Sequence, residues 1–381
     1  MSKDCVMSIL RYYHKNMVII VSVSVIAWIL TCLDSLKLLK GGLKLGFVLI
    51  TIIAMIRYDY GNDYMNYYAD FEEFVSLDFS DILLFSDLFK DVGWSLFCSS
   101  LSILGPYGFF ILVAFISVFT SIVYYKFIVE NVDRKQYWLA MFIYLFTFDM
   151  FVLQLSMIRQ GLAIALLILA YRYIGKGKLL FSLLLGLIAI SFHKTSIIFL
   201  PFLLLGRVQY EKIGKWISFV LLAVFILFFA SSSVIESIFG DVMSLEIFSI
   251  YEESYGMEEG NQMGIRRYFE FIPFFIALFY LGQKSNVAKG NYYLVLLSTI
   301  STLLFPFTTI IHLISRLCYY FNAFSIAAIP VTYYNIKNQC VRYTFLFIYM
   351  GITLYIYYVR FDDSVYTEPF AHYKTIFSVL F

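Results

Sequence analysis

The chain has 381 residues, 61% of them hydrophobic and 14% charged, with a formal net charge of +2 and a mean hydropathy of +0.81. A soluble domain carries about 25% charged residues, so this chain cannot cover a water-facing surface and its solvent is lipid. The absence of any basic block excludes a nucleic-acid partner, and apolar runs that are continuous rather than alternating exclude a transmembrane β-barrel.

Taken in order, the apolar runs predict spans at 17–33, 43–56, 107–126, 137–155, 160–174, 179–192, 195–205, 214–231, 268–282, 291–310, 317–334 and 343–360. The fold class is therefore all-α: a polytopic integral membrane protein of roughly 12 helices. Several runs are shorter than the ~20 residues of a straight crossing. The pair in "AISFHKTSIIFLPFLLL" reads as two broken or re-entrant helices meeting at His193. The segment "GWSLFCSSLSILGPYG" (93–108) is apolar but short, and reads as an interfacial or re-entrant helix. No cleavable signal peptide is expected, because the first run starts near Met17 and lacks a small-residue cleavage site. With no internal repeat and no linker, residues 1–381 read as one membrane domain.

Charge sets the orientation. Lys37, Lys40 and Lys44, then Lys126, Arg134 and Lys135, then the "GKGK" at 175–178, then Arg207, Lys212 and Lys215, then Lys284 and Lys289, and finally Lys337 and Arg342 fall on one side if every run crosses. The positive-inside rule makes that side cytoplasmic. The segment 57–106, with its interfacial helix, and the loop 232–267 are then extracytoplasmic. Lys3, Arg11 and Lys15 disagree, and the other connections outvote them.

The outer side carries polar residues that a lipid-facing chain does not need. "RYDYGNDYMNYYADFEEF" (57–74) follows the second run and holds Arg57, Asp63 and Tyr64. An acidic stretch continues from there to Asp91. Arg159 and Gln160 sit in "LSMIRQGLA", His193 in "SFHKTS", Arg266 in "GIRRYFE", and His312 and Arg316 in "IHLISRLCYYF". Each arginine alone reads equally well as an anchor that snorkels to head groups, each tyrosine better as interfacial packing, and a lone histidine better as a packing residue. As a set they stand out. Arginine is disfavoured outside, and its planar fork binds phosphate bidentately. Several arginines around one outer cavity suit a lipid-linked phosphate or pyrophosphate; pairing with Asp59, Asp63, Asp70, Glu72 and Glu73 is the structural alternative.

No metal or cofactor is expected. The four histidines and five cysteines show no ligand spacing. There is no Gly-rich phosphate loop and no GxSxG.

At this point the chain resembles a known family, the EpsG-like and Wzy-type polysaccharide polymerases. "IRYDYGNDYMNYYADFEEF" resembles their R…G-x-D-Y…Y element, and "MIRQGLAIALLILAYRYIGKGKLLFSLLLGLIAISFHKTSIIFLPFLLL" their R-Q-x-[LI]-A … F-x-H-x-[ST] stretch. "SRLCYYFNAFSIAAIP" is similar to their R-x-x-x-Y-F element and "PFAHYKTIF" to their closing tyrosine segment. The spacer after Arg57 is shorter than in the family pattern, and 1–16 is an additional N-terminal piece.

The resemblance implies a polymerase of the bacterial inner membrane. It would transfer a growing glycan from undecaprenyl pyrophosphate onto a lipid-linked repeat unit at the outer face, with a chain-length regulator and a flippase as candidate protein partners. His193 and Asp63 are then candidate bases, and Arg159 and Arg316 candidate pyrophosphate ligands. Arg57, Gln160 and Arg266 are further candidate ligands, and Tyr64 and Trp94 candidate stacking surfaces for sugars. A lipid-linked oligosaccharide flippase or secondary transporter and an O-antigen ligase are the rival readings.

Overall fold

The structure, a computed structural model, describes residues 18–76, 91–206, 289–304 and 313–380. It is mostly helical. The first elements are α1 (Val18–Ser35), α2 (Gly42–Ile56), β1 (Arg57–Tyr58), α3 (Tyr64–Ser76), α4 (Val92–Ser102), α5 (Tyr107–Asn131), α6 (Tyr137–Phe146), α7 (Phe151–Ser156), α8 (Ile158–Gly175) and α9 (Leu179–Phe192). A 3-10 turn, Lys194–Phe199, and a short helix, Leu200–Leu205, follow. Further along lie α10 (Lys289–Leu304), α11 (Leu313–Asn322), α12 (Ser325–Asn335), α13 (Gln339–Asp362) and β2 (Lys374–Thr375). The spans expected at 214–231 and 268–282, and the loop 232–267, lie outside the described residues.

Four of these helices, α1, α5, α8 and α13, are long and apolar enough to cross a membrane. Their sequences are apolar runs whose backbone groups can be satisfied in hydrocarbon only within the helix itself. Their surfaces fit that medium. Val25, Ile26 and Ile29 on α1, Leu184, Leu187 and Ile188 on α9, and Phe347, Leu354 and Tyr358 on α13 are all exposed. Rows of exposed apolar side chains on successive turns are costly in water.

The chain falls into two compact units, one holding residues up to Leu200 and from Met350 onward, the other Pro201–Tyr349. In the first unit, α1 and α2 lie so close that a Cβ on Gly42 would stand 2.0 Å from the Leu30 carbonyl oxygen. Only glycine fits there. The loop between them is closed by Asp34, whose Oδ2 accepts the Leu43 N–H (2.9 Å) and whose Oδ1 accepts from Arg134 (2.8 Å). Glu130 pairs with Arg172, and the Tyr171 hydroxyl donates to Asn131 (3.3 Å). These bonds gather the basic connections 36–44, 126–135 and 172–178 at one end of the unit. The opposite end is tied as firmly. The Asn62 N–H donates to Ser156 Oγ (3.0 Å) and the Asn62 side chain to the Val365 carbonyl (2.8 Å), while Arg159 reaches Asp91.

Local departures from the expected spans have physical causes. The run 137–155 is two helices, broken at Thr147–Met150, where Phe148 turns into an aromatic nest of Tyr357, Phe361 and Tyr366. The structure places a second break at His193, whose extended backbone ends α9. The all-α expectation also misses a two-residue antiparallel ladder: β2 pairs with β1, Thr375 opposite Arg57 and Lys374 opposite Tyr58.

In the second unit, α10 packs on α11 and α12. The Tyr293 hydroxyl donates to the Phe202 carbonyl (2.8 Å), and Phe202 packs edge-on against Phe321. Arg342 lies over the rings of Tyr333, Tyr334 and Tyr343.

Candidate functional site

The site is built at the end of the first unit opposite the basic connections. The chain leaves α2 through a tight turn. Asp59 has φ 47° and Gly61 φ 114°, and a Cβ at Gly61 would stand 2.8 Å from the Leu155 carbonyl oxygen. Gly61→Ala therefore meets both a backbone penalty and a clash with backbone. We expect it to lower the amount of folded protein in the membrane, measurable by fluorescence-detected size exclusion of a tagged chain.

Arg57 is 3% exposed. Its guanidinium donates to the Ala54 carbonyl, to Ser117 Oγ (3.3 Å) and to the Leu155 carbonyl (3.2 Å). It thereby braces α2 against α5 and α7. Tyr64 is fully buried, with its ring edge-on to Phe109 and its hydroxyl on the Arg57 carbonyl (2.9 Å). The structure thus gives both residues interior bonds: Arg57 spends both Nη groups on protein oxygens, leaving its buried Nε without a partner, and Tyr64 presents no open face to a sugar. Asp63 stands half-buried at the start of α3, where its carbonyl accepts the Tyr67 N–H (3.0 Å).

Arg159 is different. It opens α8, and 32% of its side chain is exposed. Its Nη1 lies 3.1 Å from Asp91 Oδ2, and the guanidinium carbon lies 5.2 Å from the centre of the Tyr67 ring and 6.0 Å from that of Trp94. Its Nε, buried, has no hydrogen-bond partner in the structure, and neither has the indole N–H of the buried Trp94. The guanidinium also bonds Tyr67 and feels the Asp70 charge, yet with 32% of its side chain exposed it keeps an open side on which it can meet an anion.

Asp91 organises this end. It precedes α4, where its carbonyl accepts the N–H groups of Trp94 (2.9 Å) and Ser95 (3.1 Å). One carboxylate oxygen holds Arg159; the other accepts the Lys194 N–H (3.0 Å). Burial raises its carboxyl above the ordinary carboxylate range, while the Arg159 charge and the Lys194 N–H pull it back. Asp91 thereby ties the first turn of α8 to the backbone that follows His193. His193 is buried, and its Nδ1 lies 2.8 Å from Thr195 Oγ1. Gln160 is buried beside Arg159 in the first turn of α8. Of the sequence candidates, Arg159 and Trp94 therefore meet beside Asp91, and the backbone just after His193 is tied to the same carboxylate. In the sequence Asp91 is only the end of an acidic stretch. Its sole local signal is its position before the short apolar run "VGWSLFCSSLS", where a helix needs an acceptor for its first N–H groups.

Arg316 lies half-buried on α11 in the second unit. Arg266 and His312 lie outside the described residues. Among the described residues, no three His, Cys, Asp or Glu side chains gather as a metal site would require.

The tail of the chain returns to this end. Just before β2, the Pro369 carbonyl accepts the Gly61 N–H (3.2 Å), and the Tyr373 hydroxyl donates to the Ile53 carbonyl (2.7 Å). Tyr60 is sandwiched edge-on by Phe370 and Tyr373, and Lys374 pairs with Asp59 (3.0 Å). The tail locks the turn that carries Arg57 and Asp63.

Compared with protein-family models, residues 43–375 match that of the EpsG family. The chain belongs to the EpsG family. It is accordingly a membrane protein of polysaccharide biosynthesis. The EpsG match begins at the start of α2 and ends at the last residue of β2, so it takes in the Arg57 turn, Asp91, Arg159, His193 and the returning tail, and leaves α1 outside. No curated protein and no solved structure matches the chain.

Proposed function

We propose that this EpsG-family chain is a repeat-unit polymerase of the bacterial inner membrane, a polytopic protein of roughly 12 spans whose site faces outward. It transfers a growing glycan from undecaprenyl pyrophosphate to a sugar hydroxyl of a second lipid-linked repeat unit. The observation that carries this reading is the partly open Arg159 fork, held by Asp91, whose other oxygen fixes the backbone that follows His193. The acceptor oxygen attacks the anomeric carbon, and the bond from that carbon to the pyrophosphate oxygen breaks. The hydroxyl proton passes to a base, His193 or Asp63, and charge grows on the departing pyrophosphate. Arg159 stabilises that charge where it develops. In the tautomer whose Nδ1–H donates to Thr195 Oγ1, the His193 lone pair needed by a base would sit on Nε2. Pyrophosphate is already a good leaving group, so no nucleotide is consumed.

Incubating the purified protein with a lipid-linked repeat unit tests the reading. A ladder of glycan lengths is expected. One addition onto lipid A core would make it a ligase. The ladder should persist in EDTA, since no ligand spacing for a metal is present; loss in EDTA with rescue by one divalent ion would contradict a metal-independent reaction.

The orientation has its own test. Ala69 and Lys178 are exposed and belong to opposite ends of the first unit. In a background freed of native cysteines, of which Cys340 is exposed, a cysteine at Ala69 should react with an impermeant thiol reagent in spheroplasts. One at Lys178 should not. The reverse pattern would turn the site to the cytoplasm.

A further inference from the structure

The basic end of the first unit holds a feature the polymerase reaction does not use. Between α5 and α8 lies a cavity of about 240 Å³. On α5 it is lined by Phe119, Ile122, Val123, Lys126 and Glu130, and on α8 by Ile168, Leu169 and Arg172 among others. Both helices run towards the basic end, as the pairing of their last turns through Arg172 and Glu130 requires. The cavity is therefore ordered along its length. Its half nearer the middle of the span is apolar, and its other half carries Lys126, Arg172 and Glu130. From Phe119 to Glu130 the helix advances about 16 Å. The cavity opens outward from the bundle, since Ile122 is 47% exposed. Lys126 is exposed, while Arg172 has a buried Nε with no hydrogen-bond partner, although its Nη2 meets Glu130. Lys176 adds a third cation, 5.7 Å from the centre of the Tyr173 ring.

Electrostatics at a helix C-terminus explains one cation in a last turn. It does not explain a groove whose lining changes from apolar to cationic along the two helices. We propose that this groove seats one anionic glycerophospholipid of the cytoplasmic leaflet. The acyl chain would lie along Phe119, Ile122, Val123 and Leu169, and the phosphate would be met by Lys126 and the Arg172 guanidinium. Glu130 lowers the positive charge of the groove and so tunes the affinity. The leaflet follows from the orientation proposed above; the binding itself does not depend on the polymerase chemistry.

Native mass spectrometry of the full chain in detergent, supplemented with phosphatidylglycerol or with phosphatidylcholine of the same acyl chains, tests this. Phosphatidylglycerol should be retained and phosphatidylcholine not. Lys126→Gln should reduce retention about fivefold, the effect of one basic residue at an anionic lipid surface. Glu130→Gln, which needs no buried charge to be removed, should increase it. Soluble glycerol phosphate should bring no comparable rise in melting temperature, because it lacks the acyl chain. Equal retention of the two lipids, indifference to both substitutions, or stabilisation by glycerol phosphate alone would each overturn the proposal. Because the readout is binding, a chain that makes no polymer can still pass or fail it.

Discussion

Arg159→Lys should lose roughly 10²–10³ in polymerisation rate, the scale of a lost charge-stabilising donor, with a normal amount of protein in the membrane. Lysine keeps the charge and can still reach Asp91, so a structural ion pair would survive the change. What lysine lacks is the fork that meets two oxygens at once. Arg159→Ala should be as inactive, but alone it is ambiguous, because it strands the largely buried Asp91 carboxylate. The double variant Arg159→Ala/Asp91→Asn separates the two effects. If the arginine acts on pyrophosphate, the double variant stays inactive. If it serves only to neutralise Asp91, the double variant regains activity, and the pyrophosphate ligand must be sought elsewhere. Lys40→Gln, exposed at the opposite end, is a suitable control. Arg134 is not, since it holds the buried Asp34 that closes the α1–α2 loop.

Arg57→Ala should fail differently. Arg57 is buried, among the described residues it pairs with no carboxylate, and its hydrogen bonds go to two carbonyls and a serine. Removing a charged donor from several buried acceptors costs on the order of 4 kcal/mol, a large share of the roughly 5–15 kcal/mol that holds a typical domain. The expected result is a much smaller amount of protein in the membrane and a lower melting temperature in detergent. Arg57→Lys should also be destabilised, since a single ammonium cannot span acceptors on α2, α5 and α7. Normal amount and melting temperature with lost activity would return Arg57 to the substrate. Two arginines at the same end of the unit thus predict opposite phenotypes, one kinetic and one structural.

The difference between them is not legible in the sequence. Both follow or begin apolar runs, and both stand beside polar residues. Only the tertiary arrangement shows that Arg57 points into the interior, where Leu155 and Ser117 await it, while Arg159 keeps an open side. Asp91 is hidden for a similar reason. Its two partners, Arg159 and the Lys194 N–H, are 68 and 103 residues away, and a carboxylate in an acidic stretch carries no mark of its eventual burial. The returning tail is equally remote, with Lys374 meeting Asp59 across 315 residues. What the sequence does show is the set of apolar runs, because uncharged stretches in lipid have few alternatives to a helix. The short apolar segment that forms α4 and the break at His193 are legible too: one run is too short to cross, and the other carries a charge and a histidine in its middle.

The claim that the site moves glycan off a pyrophosphate carrier can be measured directly by counting products. Purified protein in proteoliposomes, supplied with a repeat unit on radiolabelled undecaprenyl pyrophosphate and no nucleotide, should free one carrier pyrophosphate for every glycosidic bond formed. Arg159→Lys should suppress both together. Movement of the intact lipid-linked unit to the other leaflet, with no carrier freed and no bond formed, would contradict the account and make the protein a flippase.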